Sequence, residues 1–325
     1  MKPFAFTKAE SLPKTLSAKK ETTQFIAGGT NLLDLMKKHI SQPDELVDIT
    51  SMLSDKIEAH KKGIRIGAMV RNSTVTLDAN ILTNYPLLAK AILAGASPQI
   101  RNMASAGGNL LQRTRCPYFY DITTPCNKRQ PGSGCSAVEG ENRMSAIIGY
   151  SEQCVAVHPS DFCIALAALD AAVVVTQSNQ KNSTIPFSDF HRLPGSTPQQ
   201  DTNLPANALI HSIEIPVNDF HKNCAYVKVR DRDSYAFALV SVAAALDLKG
   251  NTIQEARLAS GGVAHKPWRW YEAEQYLKGK EANAVHFKEA AAMAAKDVKP
   301  LAHNGFKKLM LQGAIETALQ NCLTT

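Results

Sequence analysis

Four cysteines, Cys116, Cys126, Cys135 and Cys154, fall within 39 residues of a 325-residue chain, with nine, eight and eighteen residues between them. Thiolates are soft metal ligands, so the spacing decides which metal they suit. Zinc ribbons and fingers draw ligands from pairs about two to four residues apart, and no such pair is present. A 4Fe–4S cluster needs four thiolates and accepts them from a long loop. Arg113, Arg115, Lys128, Arg129 and Arg143 lie close by in sequence and supply positive charge to offset thiolate and cluster. A structural zinc ion, unligated buried thiols and disulfides are the other readings, although an odd total of seven cysteines argues against a disulfide scaffold. The remaining three, Cys163, Cys224 and Cys322, fall in regular structure and read as packing residues.

A second chemistry is suggested by glycines. In Ala27-Gly28-Gly29-Thr30-Asn31, between an apolar run and a helical pattern, paired glycines let the backbone approach an anion. Thr30 or Asn31 can cap the helix, whose free N–H groups suit a phosphate. The loop lacks the Gly-Lys-Ser/Thr of a Walker loop and the third glycine of a dinucleotide fingerprint, so a tight turn with a good cap is the plain alternative. The theme returns in Ala106-Gly107-Gly108-Asn109, and two such loops can embrace the two phosphates of one dinucleotide. Asp161 opens an apolar helix, either as its N-cap or as a carboxylate that meets a ribose or adenine. Lys228 and Arg230 alternate with valines on a strand, as solvated charges or as contacts to a flavin. His265 reads as structural, and Trp268 as packing or as a shield for a cofactor edge.

These groups must be held by regular elements. Strands are expected at Glu45–Ile49, Gly63–Ala68, Leu209–Ile215, Cys224–Arg230, Tyr235–Leu248 and Glu255–Gly261. Helices are expected at Pro86–Gly95, at the start of Ser160–Val175, and at Glu272–Leu277, Val285–Lys296 and Phe306–Cys322. Between Arg113 and Gln153 the periodicity dissolves among prolines and glycines, and a loop this long is usually functional or disordered. It holds all four clustered cysteines, which favours function. Composition is that of a globular protein, with 44% hydrophobic and 20% charged residues. The longest apolar run, Phe162–Val175, is broken by Asp170, so no membrane span is expected. The net charge of +7 has no basic run, which makes a nucleic-acid partner a weak reading. No nucleophile elbow, His-Glu-x-x-His or nucleophile–base pair announces a hydrolase, and no catalytic residue is assigned. The segment Met1–Phe6 has neither an apolar core nor a small-residue cleavage site, so synthesis in the cytoplasm without a signal of its own is the expectation.

The stretches Phe25–Asp34, Gly107–Asn109 and Pro159–Asp161 resemble the FAD-binding medium subunits of molybdenum hydroxylases, the xanthine dehydrogenase and carbon monoxide dehydrogenase flavoprotein family. The resemblance runs through Lys228–Ala245 and Gly261–Ala264. Asn109–Tyr120, Asn127–Arg129 and Pro131–Cys135 narrow it to members whose flavin subunit carries a 4Fe–4S cluster, notably those of periplasmic aldehyde oxidoreductases. It implies an α+β chain. A two-lobed FAD domain of the vanillyl-alcohol-oxidase (PCMH) type is followed by a smaller α/β domain of the CO dehydrogenase flavoprotein C-terminal type. The boundaries implied are 1–55 and 56–218 for the lobes, with a cluster loop at 113–156, and 219–325 for the last domain.

By resemblance, Ile26, Ala27, Gly28, Gly29, Thr30, Asn31, Leu32, Leu33 and Asp34 wrap the FAD pyrophosphate. Ala106, Gly107, Gly108 and Asn109 line the opposite side, with Ala106 offering backbone alone where relatives have threonine or isoleucine. Asp161 meets the adenosine half, Ile210 and Lys228 lie against the cofactor, and Cys116, Cys126, Cys135 and Cys154 hold the cluster. The implied partners are a large molybdenum-cofactor subunit, a small 2Fe–2S subunit and an external electron acceptor; export on a partner would carry the chain to the periplasm. A stand-alone flavin oxidase or reductase, and a basic iron–sulfur protein that binds nucleic acid, are the rival readings.

Overall fold

The computed structural model describes residues 1–17, 19–177 and 181–324. Three sheets succeed one another along the chain. Strands β1 (Ala5–Lys8), β2 (Thr23–Ile26) and β3 (Glu45–Asp48) form a parallel sheet in the order β1-β3-β2. Strands β4 (Ile57–His60), β5 (Gly63–Gly67), β6 (Ala172–Gln177), β7 (Asn182–Pro186) and β8 (Ala208–Pro216) form an antiparallel sheet in the order β4-β5-β8-β6-β7. Strands β9 (Cys224–Val229), β10 (Val240–Lys249), β11 (Thr252–Gly261) and β12 (Trp268–Arg269) form a third, antiparallel one in the order β12-β11-β10-β9. Helices Tyr271–Leu277, Ala284–Ala294 and Phe306–Asn321 follow it. No helix among the described residues is long and apolar enough to cross a membrane.

Strand β10 explains how the last domain meets the one before it. Its residues from Val240 to Leu246 are all buried, because both faces of the strand are covered. Val240, Val242, Ala244 and Leu246 pack into the core beneath the C-terminal helices, while Ala243 and Ala245 join the core of the preceding domain. Alternate residues of a strand face opposite sides, so one apolar run serves two cores. The small side chains on that second face let helix Asp161–Ala168 approach closely. That helix is buried on nearly every side, only Ala167 being partly exposed. A side chain at Gly261 on β11 would place its Cβ 2.8 Å from Ile164, so glycine sets the closeness of this contact. Cys163, Cys224 and Cys322 are buried in these cores.

The expected long strand at Tyr235–Leu248 starts later, at Val240. Tyr235 has φ +54, a left-handed conformation that no strand accommodates, so the chain before Val240 forms a loop. Apolar character alone concealed the break.

One buried cation anchors the cysteine loop to the last domain. Lys307 is fully buried, and its Nζ donates to the carbonyls of Ser145 and Gly262, each at 2.9 Å. Asn304 adds donations to the Ser145 and Ala146 carbonyls. Burial, and then the nearby Arg143 charge, lowers the Lys307 ammonium from its ordinary 10.5 to about 7. The folded chain thus binds fewer protons than the unfolded one between those values, and stability contributed by this group rises with pH across that window. Raising the pH from about 7 to about 9 is expected to stabilise the wild type relative to Lys307→Met, read as the difference between their urea midpoints. Equal shifts in the two proteins would show an ordinary lysine.

Candidate functional site: a two-loop cavity beside a four-thiol loop

The first glycine loop links β2 to helix Leu32–Lys37, and the second begins helix Ala106–Leu110. They touch back to back. A Cβ on Gly28 would lie 1.9 Å from the Met103 carbonyl oxygen, one residue before the segment that leads into the second loop. Gly29 has φ +72, which favours glycine there. The second loop is fixed from behind: Ala106 N–H donates to the Val70 carbonyl and Gly107 N–H to the Ala68 carbonyl. Ser105 caps its helix by accepting from Gly108 N–H at 3.2 Å. Asn31 occupies the cap position of the other helix, but its Oδ1 accepts from Arg113 N–H instead of from the helix.

Together the loops line a cavity of about 870 Å³, large enough for a dinucleotide cofactor. Ile26, Ala27, Gly28, Gly29, Thr30, Asn31, Leu32 and Asp34 line one side, and Gly107, Gly108, Asn109, Asp161, Ile210 and Lys228 also border it. Leu33 and Ala106 do not. Leu33 is partly exposed, at 37%, and Ala106 is fully buried in the core behind the loop.

Asp161 proves not to be the helix cap; Ser160 is, accepting from Cys163 N–H at 3.2 Å. Freed from that duty, Asp161 pairs with Lys228 at 2.8 Å and accepts from the Tyr226 hydroxyl at 2.7 Å. Lys228 is therefore buried and paired, its side chain 5% exposed, and not a solvated charge. Its Nζ also donates to the Ala94 carbonyl. Ser160 Oγ reaches Asn109, which ties this pair to the second glycine loop.

Several lining residues escaped the sequence reading. Asn72, Ser105, Tyr120, Tyr235 and Phe237 border the cavity, as does Arg115. Arg115 donates to Asp34 at 3.0 Å and bonds the Tyr120 hydroxyl, which itself donates to Asp34. Burial foremost, and the Asp34 charge, push the Tyr120 phenol up to about 12. The turn-forming run Asp231-Arg232-Asp233-Ser234 was the available signal for the loop that carries Tyr235 and Phe237. Nothing local in the sequence marked Asn72 or Tyr120.

The cavity fits a polar cofactor on its own geometry. Asn31 Nδ2, Asn72 Oδ1 and Arg115 Nε are buried there without a hydrogen-bond partner. Native chains rarely leave such groups unpaired, and a ligand with donors and acceptors would satisfy them. At Gly28 a side chain would collide with backbone, so the two loops meet as closely as they do only with glycine there.

The four-thiol loop abuts this cavity. Cys116 packs with Leu35, Ile40, Phe119, Tyr120 and Cys126 against the helix after the first glycine loop. Cys126 and Cys135 pair across a small antiparallel bridge, turned at Gly132 and Gly134 with φ +84 and +99. Asn127 Nδ2 donates to the backbone and side chain of Gln153, next to Cys154. Arg129 donates to the carbonyls of Tyr118 and Phe119, in the short helix that follows Cys116. Three cysteine-bearing turns are thereby cross-linked into one unit.

All four thiols are free of disulfides. Burial pushes Cys116 up to about 11, with Cys126 and Cys135 adding to the rise, against the lowering by the Phe119 and Tyr118 N–H groups. Burial likewise pushes Cys154 up to about 12, opposed by Lys128 and the Ala156 N–H and reinforced by Cys135 and Cys116. The backbone N–H groups near Cys116 and Cys154, and the buried Lys128 beside Cys154, are the features here that would favour the thiolate forms a metal needs. Lys128 is in turn held by Asp201, which Arg113 also grips. Trp268 lies outside the cavity, against Gly149 and Trp270. His265 is buried, bonded through Nδ1 to the Arg192 carbonyl.

Comparison with known proteins agrees with this geometry along the whole chain. Residues 2–218 match the family described as FAD binding domain in molybdopterin dehydrogenase, and residues 225–322 the CO dehydrogenase flavoprotein C-terminal domain. The chain is 45% identical over 322 residues to the aldehyde oxidoreductase FAD-binding subunit PaoB of Escherichia coli K12, covering 98% of each chain. It is 27% identical to the glyceraldehyde dehydrogenase medium chain of Sulfolobus acidocaldarius, covering 91% of this chain and 89% of that one. Among solved structures, carbon monoxide dehydrogenase from Hydrogenophaga pseudoflava matches with a TM-score of 0.76 at 22% identity, covering 99% of this chain and 98% of that one. Quinoline 2-oxidoreductase from Pseudomonas putida 86 matches with the same TM-score and coverage at 20% identity. At such identity these two likenesses concern the fold alone.

Proposed function

We propose a function for this chain from the premise that it belongs to the FAD-binding medium subunits of the molybdopterin dehydrogenases, the xanthine dehydrogenase family of oxidoreductases. Within it, the chain is the electron-transfer subunit of an aldehyde-oxidising enzyme. It holds FAD between its glycine loops and a 4Fe–4S cluster on Cys116, Cys126, Cys135 and Cys154. Substrate is oxidised at the molybdenum cofactor of a large partner subunit, and this chain stands between a 2Fe–2S subunit and an external acceptor. Bound FAD supplies the redox chemistry, which the protein need only bind, orient and tune.

The observation that carries this reading is the contiguity of the two sites. Arg115 borders the cavity, pairs with Asp34 and immediately precedes Cys116. The division of labour along the cavity follows the same reading. The first glycine loop, Ile26 to Leu32 with Asp34, holds the pyrophosphate; Gly107 to Asn109, whose N–H groups are taken by Ala68 and Ser105, line the opposite side; Asp161 faces the adenosine half, and Ile210 and Lys228 lie against the cofactor. No side chain is assigned as a general acid or base.

An absorption spectrum with FAD, iron and sulfide analysis of the purified chain tests both cofactors. One FAD and about four irons per chain are expected. Cys116→Ser is expected to lose most of the iron while keeping FAD, because Cys116 lies outside the cavity lining. Zinc in place of iron would overturn the cluster assignment. Aldehyde turnover by the chain alone, without molybdenum, would favour a stand-alone flavin enzyme.

A further inference from the structure

We propose that His158, Cys163 and His191 form a buried three-coordinate site for Cu(I), separate from the FAD cavity and from the four-thiol loop. One ligating atom from each residue lies within 4.8 Å of those of the other two. They come from three segments: the stretch before Pro159, the first turn of helix Asp161–Ala168, and the residue after the short helix Phe187–Phe190. All three are buried, at 7%, 0% and 3% exposure.

Two orphaned atoms point to a ligand. His158 Nε2 and His191 Nδ1 are buried without a hydrogen-bond partner. His191 Nε2 lies 2.9 Å from the Leu110 carbonyl oxygen, which can only accept. The proton therefore sits on Nε2, and Nδ1 keeps its lone pair free. Such a bond from the second ring nitrogen is how metal-bound histidines are commonly oriented. Both rings are buried, where the neutral imidazole is the favoured form. Phe187 and Phe190 pack edge-on against His191, with ring centroids 5.3 and 5.0 Å away, and make this side of the pocket apolar.

Charge selects the ion. Two neutral imidazoles and one thiolate bring a single negative charge, which a monovalent cation cancels. A divalent ion would leave one buried positive charge uncancelled. Soft sulfur and imidazole ligands suit Cu(I). Binding releases the Cys163 S–H proton to solvent and forms a sulfur–copper bond, with no change in oxidation state. Cys163 lies two residues beyond Asp161, and His191 holds the end of the second glycine helix through Leu110. The ion would clip the wall of the cavity from behind.

The test is anaerobic competition for Cu(I) between bicinchoninate and the purified FAD-containing protein. Wild type is expected to take up one equivalent more than Cys163→Ser and than His158→Gln, with X-ray absorption showing one sulfur and two nitrogen ligands at that ion. Thiols of the cysteine loop contribute equally to all three proteins and cancel from the difference. Retained FAD and an unchanged far-UV spectrum certify that each variant is folded. Equal uptake by wild type and a folded variant, or one zinc ion held in the site against excess Cu(I), would overturn the proposal.

Discussion

Replacing Asp161 with alanine is expected to cost about 3–5 kcal/mol of stability, the usual penalty for leaving one member of a buried ion pair alone. Lys228 would keep its charge in a place where it is 5% exposed, with only the Ala94 carbonyl left to accept from it. Tyr226, a half-buried phenol that now donates to Asp161, would also lose that acceptor. The readouts are the urea midpoint and the FAD content of the purified protein, and both should fall. The double variant D161A/K228M separates structure from binding. Removing both charges should recover most of the stability, because no uncompensated ion remains. FAD content should stay low, since both residues border the cavity. A double variant as unstable as the single one would show that the pair is not the source of the loss.

Gly28→Val is expected to weaken FAD binding at least about tenfold, equivalent to about 1.4 kcal/mol or more. The cause is geometric. The new Cβ would lie 1.9 Å from the Met103 carbonyl oxygen and 3.2 Å from the Ala104 Cα, both of them backbone atoms. Backbone cannot rotate aside as a flexible side chain can, so the segment leading into Ser105 and the second glycine helix must move. Both walls of the cavity are then displaced by one substitution. Gly313→Ala serves as the control: it lies in helix Phe306–Asn321 with open space around its Cβ. Alanine there should leave FAD binding intact and add up to about 1 kcal/mol of stability through helix propensity. Fluorescence titration of apoprotein with FAD measures both variants. Equal affinity in Gly28→Val and wild type would remove Gly28 from the site.

Much of the site was legible because its signals are local. Paired glycines at 28–29 and 107–108 and the run of prolines and glycines around four cysteines are written in consecutive residues. The helix at 161 and the strand that follows it were also readable, since apolar periodicity and a following turn lie within one window. Readings stayed open, or went wrong, where a local pattern had two outcomes. Asp161 and Ser160 are both good caps, and only the folded geometry gives the cap to Ser160 and frees Asp161 for Lys228. Lys228 could be a solvated charge or a cofactor contact, because alternation on a strand cannot tell which elements will cover the face. Tyr235 to Leu239 read as strand because apolar character does not report φ.

The sequence by itself determined the family, the α+β class, the two glycine loops and the grouping of four cysteines apart from three. Each of these is a matter of residue type and short spacing. Tertiary structure decided what stands opposite what. Asp161 and Lys228 are 67 residues apart, and they meet because Gly261 and the small residues of β10 let one buried helix dock against the third sheet. Arg115 reaches Asp34 across 81 residues because the cysteine loop packs on the first glycine helix. Such pairings depend on packing between distant segments, and local propensity carries no information about it.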